Sequence, residues 1–316
     1  MGFVGIQTQI KRNNRKSVLL LIAFPLLVLA AVFAVVYFTT FDQYGNPSPD
    51  LATDMFLQAV PFVTTIVLVW FLIAYFAHGK MIATATGAKP LERKENMRVY
   101  NLVENLCMSV GMKMPKVNII ESDALNAFAS GLKEKNYTVT LTRGIIEKLD
   151  DNELEGVIAH ELMHIRNKDV RLLLVTIIFV GIFSFVVQMA FRNFLYGRMT
   201  NRRNSKDSGK LMIIILAVSL VAYLISILFK FALSRKREYL ADSGAAEMTR
   251  KPWALASALR KISANHHVDS VKSEEVQQMF IENTPKDTSA SLFGGLKGLF
   301  STHPPIEKRI QFLDQF

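Results

Sequence analysis

The sequence almost lacks cysteine. Cys107 is the single one, so no intrachain disulfide can form. Leu102, Val103, Leu106 and Val110 recur around it at helical spacing, so Cys107 reads as a small core residue rather than a redox centre or a ligand. Internal repeats are missing too, which excludes a repeat architecture. Acidic residues are in deficit, 27 against 37 Lys and Arg, leaving a net charge of +10. Nucleic acid is one partner such a balance suits. It is not the expected one here, because the basic residues sit beside long stretches that carry no charge at all.

Those stretches are Ser17 to Thr40 and Met55 to Ala77. Val170 to Ala190 is apolar apart from Arg171, and Leu211 to Phe229 is apolar throughout. Each is about 20 residues, which at ~1.5 Å per residue spans a hydrocarbon core of ~30 Å. All are therefore expected to be membrane helices. The first competes with a cleaved signal peptide, but it is long for one, and no small-residue cleavage site precedes the acidic loop. The last two compete with buried core helices. Lys11, Arg12, Arg15 and Lys16 precede the first run, and Lys80, Lys89, Arg93, Lys94 and Arg98 follow the second. The loop between them holds Asp42, Asp50 and Asp54 and no Lys or Arg. That asymmetry predicts a cytoplasmic N-terminus and a cytoplasmic chain from residue 80 onward.

Residues 1–80 read as a transmembrane hairpin, 81–169 and 234–316 as two parts of one catalytic domain, and 170–233 as a membrane hairpin inserted between them. Apolar periodicity predicts a helix over Glu92 to Val110, ended by Gly111. Lys116 to Ile120, Ala127 to Ala129 and Tyr137 to Leu141 read as strands. A short helix follows to Leu149. Asp150 and Asp151 can cap the next helix, which is expected to run on towards the third apolar run. Further helices are expected over Ser234 to Met248 and Pro252 to Ile262, and a last one near the end of the chain.

The chemistry begins at His160-Glu161-Leu162-Met163-His164. Residues four apart share a helix face, so both imidazoles can point at one cation. Glu161 projects at an adjacent angle and can act as a general base on water there. The competing reading is a surface helix with two satisfied histidines. A catalytic zinc needs a third protein ligand and an open position, and Glu238 in Arg237-Glu238-Tyr239-Leu240-Ala241-Asp242 is the best placed. Asp242 shares its helical face and can accept the other N–H of a ligand histidine. Taken alone this segment would be a solvated charged helix; beside the paired histidines it reads as the rest of the site. A His, His, Glu set suits Zn2+, one per chain.

These segments carry a resemblance. AHELMHIRNKD (159–169), REYLAD (237–242), LNAFASG (125–131) and THPPIEKRI (302–310) resemble the HtpX-type membrane metallopeptidases, gluzincins related to the CAAX prenyl proteases. The resemblance implies peptide-bond hydrolysis, with zinc on His160, His164 and Glu238 and with Glu161 as base. It implies an α-helical membrane protein whose mainly α, α+β zincin-like catalytic domain carries a small sheet, with an edge strand beside the HExxH helix. Asn126, Ala127 and Phe128 resemble the strand that such peptidases lay beside an extended substrate. His303 matches a family histidine near the zinc, as an oxyanion stabiliser or a latch on the open position. Arg309 braces that segment or holds a carboxylate of the substrate. The implied role is cleavage of damaged or misfolded membrane proteins at the cytoplasmic face of the cell membrane, with polypeptides and the lipid bilayer as partners. The alternatives are a CAAX-type processing protease and a non-catalytic metal-binding membrane scaffold.

One conflict stands in the sequence. A cytoplasmic site requires the tip of the second hairpin to face outward, yet that tip carries Arg192, Arg198, Arg202, Arg203, Lys206 and Lys210 against Asp207. The third and fourth helices therefore either cross despite that charge or dip in without crossing. Asp169 is expected to brace the active helix, and the apolar Leu292 to Phe300 to form a lid or touch the bilayer. His78, His266 and His267 read as plain surface or interface residues.

Overall fold

The computed structural model describes residues 6–41, 44, 46, 48–178, 192, 214–224, 235–265, 268, 271, 279–281 and 303–316. His266, His267, the 292–300 stretch and the tip of the second hairpin, apart from Arg192, lie outside them. The chain divides into two units: Ser17–Phe76 with Val175–Lys230, and Met1–Lys16 with Ala77–Leu174 and Phe231–Phe316.

The first of these units is helical and apolar. Helix α1 covers Ile6–Thr39 and α2 covers Pro49–Thr86. Their windows reach mean hydropathies of 3.1 and 2.2, yet only 6% of each is buried. Leucine and phenylalanine side chains such as Leu19, Phe62 and Phe76 are turned outward, as a helix facing lipid requires. Among the described residues these are the two helices long and apolar enough to cross a membrane. The third and fourth apolar runs are described only in part, as helix over residues 169–178 and over Ile214–Leu224.

The second unit carries a four-stranded sheet. Its strands are β1 (Lys89–Pro90), β2 (Lys116–Ile120), β3 (Ala127–Ser130) and β4 (Thr138–Thr142). Their order is β1-β2-β4-β3, with β2 and β4 parallel and the outer pairs antiparallel, so β3 forms one edge. Helix α3 spans Met97–Ser109 and starts later than its periodicity predicts. Asn96 sets the start: its side-chain oxygen accepts from the Val99 amide at 3.0 Å, while Glu95 ties the residues before it into a turn through the Glu92 amide at 2.7 Å. Short α4 (Arg143–Lys148) follows β4.

Helix α5, Asp151–Arg166, is the centre of this unit. Asp150 accepts from the Glu153 amide at 2.9 Å and Glu153 returns the bond to the Asp150 amide at 3.0 Å, closing a capping box. Val157, Ile158 and Leu162 are fully buried, as are Leu255, Leu259 and Ile262 of α7 (Pro252–Ala264), and α5 packs on both α7 and α6 (Lys236–Thr249). Gly244 permits the close approach of α6. A Cβ there would fall 2.3 Å from the Met163 Cε, so a larger residue would make the Met163 side chain shift. Helix α8, Ile306–Leu313, packs on α6 and α7.

One expectation is corrected here. The helix bearing the two histidines does not run on into the third apolar run; it stops at Arg166. Lys168 takes a left-handed backbone, φ 59°, and helix resumes at residue 169. Such a conformation breaks the i to i−4 ladder.

Candidate metal centre

His160 and His164 stand one turn apart on α5, with their Nε2 atoms 3.1 Å from each other. Glu238, in the first turn of α6, brings Oε2 to 3.7 Å from His160 Nε2 and Oε1 to 3.6 Å from His164 Nε2. One ligand atom from each of the three lies within 4.8 Å of the others.

The opposite ring nitrogens decide what those atoms can do. His160 Nδ1 lies 2.9 Å from Asp242 Oδ1, and His164 Nδ1 lies 3.2 Å from Asp169 Oδ2. An ionised carboxylate only accepts, so each Nδ1 carries the proton and each Nε2 presents a bare lone pair. In the neutral rings two lone pairs thus face each other across 3.1 Å, beside a carboxylate. Nitrogen atoms surround Glu238, with His303 Nδ1 at 3.0 Å, Arg237 Nε at 3.4 Å and Arg309 Nη1 at 3.7 Å. Even so, neither Glu238 oxygen accepts a hydrogen bond of sound geometry from a described group. Arg309 Nη2 is 3.4 and 3.2 Å from the two ring nitrogens of His160, so it sits over the ring rather than along either lone pair. Three convergent donor atoms without a hydrogen to share are what a divalent cation fits, and two imidazoles with a carboxylate are a zinc set.

Electrostatics agree. Burial and Arg309 both oppose charge on His160, but Asp242 and Glu238 outweigh them and raise it to about 9. The spot favours positive charge. Burial would raise Glu238 as well, yet His303 and His164 hold it well below the usual carboxylate range. Glu161 is pushed up by burial, a shift that the neighbouring His160 and His164 oppose. A base held above its usual range is better matched to abstracting a proton near neutrality.

Around this core, Arg309 is buried and grips Asp242 through Nε at 2.9 Å and Nη2 at 2.7 Å. It also donates to the Ile281 carbonyl at 3.2 Å. Its guanidinium is thus committed to protein groups rather than presented to a ligand. His303, just ahead of α8, lines the pocket together with Glu161, His164, Glu238, Met279 and Ala129.

Ala129 belongs to edge strand β3. Asn126 bonds to β4, its carbonyl accepting from the Thr142 amide at 3.0 Å. By alternation, Ala127 and Ala129 turn their backbone groups outward. The Ala127 carbonyl already accepts from the Ile281 amide at 2.9 Å, and Phe280 stacks edge-on against Phe128 at 5.0 Å. Its amide is satisfied by the Asn126 side chain at 3.0 Å. The outward position beside the pocket is therefore Ala129.

Sequence reasoning assigned Asp169 only a bracing role, and it missed Asn13, which donates to Asp169 Oδ1 at 2.6 Å and to the Asn167 carbonyl at 2.9 Å. A carboxylate shortly after the second histidine is a signal for the former. Nothing local signals the latter, which lies 156 positions away.

Comparison with known proteins adds a second line. The family described as Peptidase family M48 matches residues 93–316. A protein named "Protease HtpX homolog" from Bacteroides fragilis is 57% identical over 323 residues, covering 100% of both chains. Proteins of the same name are 37% identical in Listeria monocytogenes, over 97% of this chain and 98% of that one, and 35% identical in Dictyoglomus thermophilum, over 96% and 92%. The crystal structure of S. mikatae Ste24p matches with a TM-score of 0.46 at 17% identity, over 80% of this chain and 58% of that chain.

Proposed function

We propose, for a chain that belongs to peptidase family M48 and stands among the HtpX proteases, that this membrane-associated metallopeptidase is a zinc-dependent endopeptidase acting on damaged or misfolded membrane proteins from the cytoplasmic face. In this reading His160, His164 and Glu238 hold one zinc per chain. When bound, zinc supplies Lewis acidity that polarises the scissile carbonyl and makes water a better nucleophile.

This chain's own residues do the rest. Glu161 takes the proton of the attacking water and passes it to the leaving amine. His303 donates to the oxyanion of the tetrahedral intermediate. Asp242 and Asp169 keep the two imidazoles in the tautomer that frees Nε2. Arg309 acts through Asp242. The substrate backbone, extended, pairs with the edge of β3 at Ala129. The lipid-facing α1 and α2 favour substrates in the same bilayer, and the basic residues flanking the apolar runs favour the cytoplasmic side for the site.

The observation that carries the reading is the meeting of three donor atoms, two of them lone pairs held face to face by carboxylates behind them. The test is cleavage of an unfolded model protein by the wild type and by Glu161→Gln, with zinc content measured in both. Turnover should fall by about 10²–10⁴ while zinc is retained. If both bind zinc and neither cleaves, the enzyme reading fails and a metal-binding scaffold replaces it.

A further inference from the structure

We propose that Asn13, near the start of the first membrane helix, is a positioning residue for the metal centre: it fixes Asp169, which fixes His164. The inference rests on the zinc reading of the site.

Each histidine has a carboxylate behind it, and the two carboxylates are held differently. Asp242 lies within α6 and is clamped by the two nitrogens of Arg309. Asp169 has no such support from its own backbone. It comes directly after Asn167 and Lys168, where α5 breaks and the chain passes through a left-handed residue. Its distance to His164, 3.2 Å, is longer than the 2.9 Å between Asp242 and His160, and the His164 side chain is 12% exposed against 1%. This is the weaker half of the site, and Asn13 is applied there.

The geometry suits that task. Asn13 is 3% exposed. Its Nδ2 has two hydrogens and meets two acceptors, the Asp169 carboxylate at 2.6 Å and the Asn167 carbonyl at 2.9 Å. One bond aims the carboxylate; the other pins the broken turn that carries it. A neutral amide does this without cancelling the negative charge that holds the proton on His164 Nδ1. Residues Met1–Lys16 group with the catalytic stretches of the chain rather than with the rest of α1, so the same helix that enters the apolar run begins as part of the metal centre's support.

Outer groups that orient a ligand histidine typically change metal affinity 10–100-fold when lost, and Asn13 acts one bond further out, so about a tenfold loss is expected. The experiment is competition for zinc between a chromophoric chelator and the purified full-length chain in detergent. Asn13→Asp keeps the shape and removes the donor; it should weaken zinc about tenfold, whereas Lys11→Ala on the same helix should not change it. In an Asp169→Asn background, Asn13→Asp should cost little more. Thermal unfolding with and without chelator separates a merely structural role: packing damage lowers both midpoints equally, while lost positioning narrows the gap between them. Should Asn13→Asp not fold, Asn13→Ser, with one donor left, is read in the same way. Zinc affinity unchanged in the folded variant, or a loss undiminished in the Asp169→Asn background, overturns the inference. A wild type that binds no zinc overturns the metal reading instead.

Discussion

Replacing Asp242 by Asn tests the buried network behind the first histidine. Asp242 is fully buried, and so is its partner Arg309. Removing one partner of a buried ion pair costs about 3–5 kcal/mol, because the other charge is left without compensation. Arg309 retains the Ile281 carbonyl at 3.2 Å and has Glu238 at 3.7 Å, so the loss should fall near the lower end, about 3 kcal/mol. At about 2–4 °C per kcal/mol for a domain of 150–250 residues, the melting midpoint should drop by about 6–12 °C. A second loss is distinct. The asparagine amide can offer an N–H to His160 Nδ1 and so favour the wrong tautomer, weakening zinc about 10–100-fold. The two effects separate in the double variant Asp242→Asn with Arg309→Gln. Removing the orphaned charge should restore most of the midpoint and none of the zinc affinity. The assay is thermal unfolding of chelator-treated protein, paired with a zinc titration. If the double variant melts no higher than the single one, or if Asp242→Asn binds zinc like the wild type, the assigned network is wrong.

Activity should fall on acidification through a limb set by Glu161. Burial raises its pKa, and the base must be ionised, so the limb should lie above the ordinary carboxylate range; a pH profile of kcat/KM whose acid limb lies at or below that range refutes it. Glu153 should contribute stability of a different pH dependence. Burial raises its pKa, but Lys261 at 2.6 Å, the Asp150 amide and Ser257 prevail, leaving it lowered when folded. Its contribution is therefore full above about pH 4.3, its unfolded value, and is lost as pH falls through the folded one. Glu153→Ala should cost about 1–3 kcal/mol near neutrality, read by denaturant unfolding, and much less in acid.

What the sequence disclosed followed from local spacing. His160 and His164 were legible because four residues make one helical turn, and Glu238 and Asp242 because they repeat that spacing. The strands at 116–120 and 138–142 were legible from alternation and β-branching. The break after Arg166 was not, since Lys168 is not a residue type that signals a left-handed turn. Asn96 was a cap that periodicity overran, which moved the start of α3. Asn13 could not be found at all: its bonds join positions more than a hundred residues apart, and no local pattern encodes them. Arg309 was expected at the site, but only packing showed that Asp242 takes its guanidinium.

The scattering of this centre along the chain has a consequence for biosynthesis. Ribosomes add about 5–20 residues per second, so the two histidines emerge several seconds before Glu238, and Arg309 emerges later still. In the proposed reading the growing polypeptide holds at most two of the three ligands throughout that interval, with His160 not yet backed by Asp242. Under the proposed ligand set, hydrolytic competence therefore waits until Glu238 has been made.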